Sequence, residues 1–120
     1  MAAPNIVNVA TITGKTVGVA VAATTTTIVT NAASSGKVFK INTLTIANID
    51  GTNAADITVE VLKNGTTAYK LANTISVPAD STLVVIAKDT ALYLEENDTL
   101  RAVASAAGDL EAVCSYEEIS

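Results

Sequence analysis

Three consecutive runs decide how the chain is built: VFKINTLTIANID (Val38–Asp50), GTNAAD (Gly51–Asp56) and ITVEVLK (Ile57–Lys63). The first is rich in Val, Ile, Phe and Thr, which suit a pleated, half-buried surface. The third alternates, with Ile57, Val59 and Val61 on one face and Thr58, Glu60 and Leu62 on the other. Side chains of a strand point to opposite faces in turn, so this pattern predicts one buried face and one wet face. Asp50-Gly51 and the small residues up to Ala55 read as a hairpin loop, and the two runs are expected to pair as the centre of a β-sandwich.

Outward from that centre, Asn64-Gly65 is the strongest two-residue turn signal, joining ITVEVLK to TTAYKLAN. Pro78 lacks an N–H, so Val77–Ser81 reads as a connector. Ser81–Lys88, Ala91–Leu94, Thr99–Ala106 and Leu110–Glu117 follow as strands, with a turn at Gly108-Asp109. Toward the N-terminus, Ile6–Thr13 is β-rich, Gly14-Lys15 offers a turn, and Thr16–Asn31 reads as a strand that includes the threonine run Thr24–Thr27. In that strand Val17, Val19 and Val21 share one face and Gly18, Ala20 and Ala22 the other. Two small apolar faces predict a strand covered on both sides, internally or by a partner. No helical period appears. The expected fold is all-β: an antiparallel β-sandwich, jelly-roll or Ig-like, of about eight or nine short strands.

Bulk composition fits one domain of 120 residues, with residues 1–5 as an N-terminal arm and residues 6–120 as the sandwich. The 49% hydrophobic content excludes a disordered acidic chain, and one Phe, three Tyr and no Trp leave the core to Val, Ile, Leu and Ala. A net charge of −5 with dispersed lysines opposes nucleic-acid binding. No apolar run approaches the roughly 20 residues that span a bilayer. The start, MAAPNIVNVATITGK, lacks a basic segment before an apolar one, so no secretory signal is expected.

There is no histidine, hence no Ser-His or Cys-His nucleophile pair, and no P-loop, GxGxxG, CxxC or HExxH motif. An enzyme is not expected, and neither is a cofactor or a metal. Cys114, the sole cysteine, sits at an inward phase and reads as a core thiol. Glu95, Glu96 and Asp98 form a dense carboxylate group, read as a solvated acidic turn in preference to a calcium site or an acid–base pair. Asn64-Gly65-Thr66 and Asn97-Asp98-Thr99 fit the glycosylation pattern but read as turns.

From Val38 to Ser120, the pieces NIDGTNAAD, VPADSTLVVI with YLEENDTL, and the terminal SYEEI resemble small virion structural proteins of tailed bacteriophages, of the marine and cyanobacterial type. The resemblance implies a non-enzymatic β-sandwich subunit present in many copies on the particle. Within that class a head decoration (cement) protein is preferred, binding across major capsid protein subunits and associating as a trimer. A tail, neck or fibre-associated component is the alternative. A carbohydrate-binding module is a third, although stacking platforms need exposed rings, and Tyr69 and Tyr116 fall on inward phases. The expected contacts are the arm residues Ala3, Pro4, Asn5 and Ile6 and the strand residues Val17, Val19 and Val21.

Overall fold

A computed structural model describes residues 4–120. Nine strands run β1 (Ile12–Val21), β2 (Thr26–Thr30), β3 (Val38–Asn48), β4 (Ala55–Lys63), β5 (Thr67–Val77), β6 (Thr82–Ile86), β7 (Leu92–Leu94), β8 (Thr99–Ala104) and β9 (Leu110–Ile119). One sheet has the order β1-β9-β3-β6, with β7 also on β3, and the other β2-β8-β4-β5. Every pairing is antiparallel. β6 and β7 lie along the same side of β3 as one strand, broken by a 3-10 turn at Lys88–Thr90.

This order settles which sandwich it is. In an Ig-type sheet the first strand pairs with the second. Here β1 pairs with the last strand, β2 belongs to the opposite sheet, and the chain crosses between sheets at most connections. That is a jelly roll.

Alternation builds the core. β4 buries Ala55, Ile57, Val59 and Val61, β8 buries Leu100, Ala102 and Ala104, and β9 buries Leu110, Ala112 and Cys114. β3 contributes Phe39, Ile41, Leu44 and Ile46, its phase reset by an irregularity between Ile41 and Thr43. Phe39 packs on Tyr116 with ring centroids 5.5 Å apart.

The structure corrects four sequence expectations. β3 and β4 do not form a hairpin but lie in opposite sheets. The Asp-Gly segment between them is an arch: the Asn48 amide donates to Asn53 O (3.0 Å) and Val77 O (2.9 Å), while the Asp50 carboxylate accepts from Thr52 N (2.8 Å). These side-chain bonds satisfy the loop backbone in place of a hairpin ladder. Gly14-Lys15 lies inside β1, where no turn occurs. Thr24 and Thr25 lie outside any strand; Thr26 Oγ1 accepts from Ala22 N (3.1 Å) and donates to Thr24 O (3.0 Å) as the chain passes from one sheet to the other. Finally, β1 is not an interior strand. It is a sheet edge, mostly exposed along its length.

Candidate assembly surfaces

The residue types that sequence alone offers for chemistry are absorbed by the fold. Asp98 is 1% exposed. Its carboxylate accepts from Asn64 N (2.9 Å), Glu95 N (2.9 Å) and Lys63 Nζ (2.6 Å), pinning the β4–β5 hairpin to the loop before β8. Glu95 also reaches Lys63 (3.3 Å), and Glu96 accepts from Gly36 N (3.0 Å). The acidic turn is therefore a loop brace with one buried member, not the solvated turn expected. Among the described residues no group of three or more His, Cys, Asp or Glu side chains could hold a metal ion. The Asp98 carboxylate, with Glu95 behind it, holds the Lys63 ammonium above its ordinary range despite some burial.

Two asparagines do similar work, and the sequence gives little sign of it. Asn31 is fully buried; its amide donates to Lys37 O (2.9 Å) and Leu94 O (3.1 Å) and accepts from Ser35 Oγ (2.6 Å). Asn48 holds the arch at the other end of β3. Each replaces a missing ladder partner where the backbone leaves the sheet.

Charged side chains on the strands are mostly spent in pairs. Glu118 accepts from Lys37 (2.6 Å) and Lys15 (2.9 Å), which together hold its carboxyl below the ordinary range. Burial raises the Glu60 carboxyl, but Arg101 (3.1 Å) and Lys70 (3.3 Å) outweigh it and the net direction is down. Cys114 is buried, and burial pushes its thiol up to about 11. Nothing there activates a nucleophile.

What remains unspent is apolar surface. Ile6 and Val7 are exposed on a short turn where Asn5 Oδ1 accepts from Val7 N (3.0 Å). Tyr69, Leu71 and Ile75 are exposed on β5, Val84 on β6, Tyr93 on β7 and Val113 on β9. Tyr69 has the inward phase read from sequence, opposite Val61, yet it is 59% exposed because it lies on an edge strand. Beside β1, a shallow depression of about 220 Å³ is lined by Gly18, Val19, Ala20, Glu111, Ala112 and Val113.

Of the expected contact residues, Ala3 lies outside the described residues. Pro4 is half-buried, and Asn5 and Ile6 are exposed. Val17 and Val19 pack against the core, and Val21 is part of it. The structure thus separates the two groups: Asn5 and Ile6 face water, and the valines face inward from an edge strand. Gly18 and Ala20, the other phase of the same strand, are the ones exposed.

By shape, the chain is similar to a structure described as Bacillus endospore appendages that form a novel family of disulfide-linked pili. The identity is 20%, the coverage 92% of this chain and 88% of that one, and the TM-score 0.53. At that identity the likeness establishes the fold alone. Two structures of a pentameric capsid protein isolated from metagenomic phage sequences overlap 87% of this chain at 24% identity, with TM-scores of 0.42 and 0.41. This chain spans 60% and 64% of their lengths, and the overlap is too loose to build on. A scan against protein-family models finds no match, and a comparison with curated proteins finds none either.

Proposed function

We propose that the protein is a non-enzymatic structural subunit of a tailed-phage virion, and within that class a capsid decoration protein. It would seat across neighbouring major capsid protein subunits and stabilise the head. The observation that carries this reading is the distribution of exposed apolar side chains. They sit on the N-terminal turn, at Ile12 where β1 begins, at Ile49 after β3 and along strands β5, β6, β7 and β9, while the core is closed and most cations are paired within the chain. Surface of that kind suits contacts with other proteins. The resemblance of Val38–Ser120 to phage virion proteins points the same way.

The arm residues Ala3, Pro4, Asn5 and Ile6 are the proposed contacts on the capsid side, with Val17, Val19 and Val21 marking the strand that meets a neighbour. Many weak contacts repeated over a particle add through avidity, so each copy need not bind tightly. The protein is proposed to act as a homo-oligomer, for which the sequence reading favours a trimer. Co-sedimentation with undecorated phage heads tests the assignment. Binding to heads supports decoration, binding only to tails supports the tail, neck or fibre reading, and binding to neither overturns both.

Two exposed tyrosines, Tyr69 and Tyr93, keep a carbohydrate-binding reading in play. A glycan-array hit lost on Tyr69→Ala or Tyr93→Ala would favour it over decoration.

A further inference from the structure

The sandwich has four strand edges: β1 and the β6–β7 line in one sheet, β2 and β5 in the other. Unpaired edges template further strand pairing, and proteins blunt them with short strands, bulges, breaks and charges. Three of the four are blunted here. β2 is five residues long and shifts register between Thr27 and Val29. β5 meets two register shifts against β4 and carries Thr74 at φ 50, a left-handed conformation unfavourable for a β-branched residue. The β6–β7 line shifts at Leu44 and is then broken by the 3-10 turn.

β1 carries no such device. Its pairing with β9 runs unbroken from Ile12–Ile119 to Val21–Leu110. Its one charged residue, Lys15, is held by Glu118 at 2.9 Å. No backbone hydrogen bond from the described residues reaches its outer side.

We propose that the free edge of β1 pairs with β1 of a second copy, antiparallel about a two-fold axis, so that two five-stranded sheets become one continuous sheet. A row of alternating N–H and C=O groups is matched by an extended strand and by little else. Pairing a strand antiparallel with its own copy is self-complementary under a two-fold axis, the commonest symmetry of protein oligomers. Charge allows it, because each copy brings to the seam only Lys15, already neutralised within its own chain.

Side-chain phase narrows the register. Val17, Val19 and Val21 face inward and Gly18 and Ala20 outward, so the pairing must match odd with odd. Val17 opposite its own copy satisfies this and sets Thr16 beside Gly18 and Gly14 beside Ala20 on the outer face. Those residues are small, and a Cβ placed on Gly18 or Gly14 meets nothing within 4 Å. The depression bounded by Gly18, Ala20 and Val113 lies beside the seam, open to side chains of the second copy. In this arrangement Val17, Val19 and Val21 contribute through their backbone, which reconciles an inward-facing valine row with a contact strand.

The pairing rests on the homo-oligomer part of the proposed function, but it puts a two-fold pair in place of the trimer that the sequence reading favours, and it is tested apart from head binding. Light scattering across a concentration range is combined with hydrogen exchange on the purified full chain. The expected result is a two-chain species whose Ile12–Val21 amides exchange more slowly as concentration rises. The double variant Gly18→Lys with Ala20→Lys should weaken that species roughly tenfold or more by setting like charges across the seam. Leu71→Lys, on the blunted β5 edge, should leave it intact. Circular dichroism of each variant confirms that the sheet is retained. A monomer at every concentration overturns the proposal. So does an oligomer that survives the double lysine variant, or one whose β1 amides stay unprotected. Heads that bind a monomeric chain would sink the pairing and spare the decoration reading; a dimer that ignores heads would do the reverse.

Discussion

Asp98 gathers three donors, from the end of β4, the turn after it and the loop before β8, onto a carboxylate closed off from water. Asp98→Ala leaves the amides of Asn64 and Glu95 without their acceptor. It should cost about 3 kcal/mol in urea unfolding, the range for stranding buried donors of a charged group. Asn48→Ala strands the buried Val77 carbonyl and drops the partly exposed bond to Asn53 O, and should cost about 2 kcal/mol by the same measurement. Cys114 should resist thiol reagents in the native protein and react fully once denatured, given its burial and raised pKa. The inward phase of Cys114 was readable from alternation alone. Asp98 was not, since an acidic residue between two turn signals looks solvated until the hairpin that covers it is in place. Asn31 and Asn48 were hidden for the same reason, their partners lying far along the chain.

Among the elements, the β4–β5 hairpin shows a local signal holding. Asn64 and Gly65 both take positive φ (52° and 67°), and Thr66 N closes the turn on Lys63 O at 3.0 Å. Gly65→Ala should cost about 1 kcal/mol, from the left-handed backbone and from a Cβ set 3.1 Å from Asn97 Nδ2. Asp50-Gly51 carries a similar dipeptide with the opposite outcome. The loop it belongs to is long, and Asn48 beside it bonds across to Val77 in the other sheet. Alternation thus names strands and their buried faces, while partner choice depends on contacts distant in sequence. The threonine run divides on the same logic, two residues outside any strand and two inside β2.

At the scale of the whole molecule, acidity should weaken the fold. Glu118 and Glu60 have carboxyls held below the ordinary 4.5, so their pairings stabilise the native state above that value. That contribution is lost as pH falls through each lower folded value. Lys15 and Lys63 are raised above 10.5, so their part is complete below that value and disappears as pH climbs through the higher folded ones. Melting temperature measured from neutral pH to pH 3 should fall at the acid end, and Glu118→Gln should flatten that limb. The all-β sandwich was legible throughout the chain, from short alternating runs with turn residues between them. Its jelly-roll order was not, because β1 joins β9 across nearly the full sequence and no local pattern encodes that pairing. Of the proposed contacts, the arm was singled out by position and composition alone, whereas β1 became an exposed edge only with its neighbours placed.

The most direct test of the central claim is sedimentation of the purified chain with undecorated phage heads, quantified against matched tails. A virion decoration subunit should pellet with heads, saturate at a fixed ratio to capsid subunits and lose binding when Ile6 is changed to Asp. A chain that stays in the supernatant with heads and tails alike, while remaining folded, would contradict the claim.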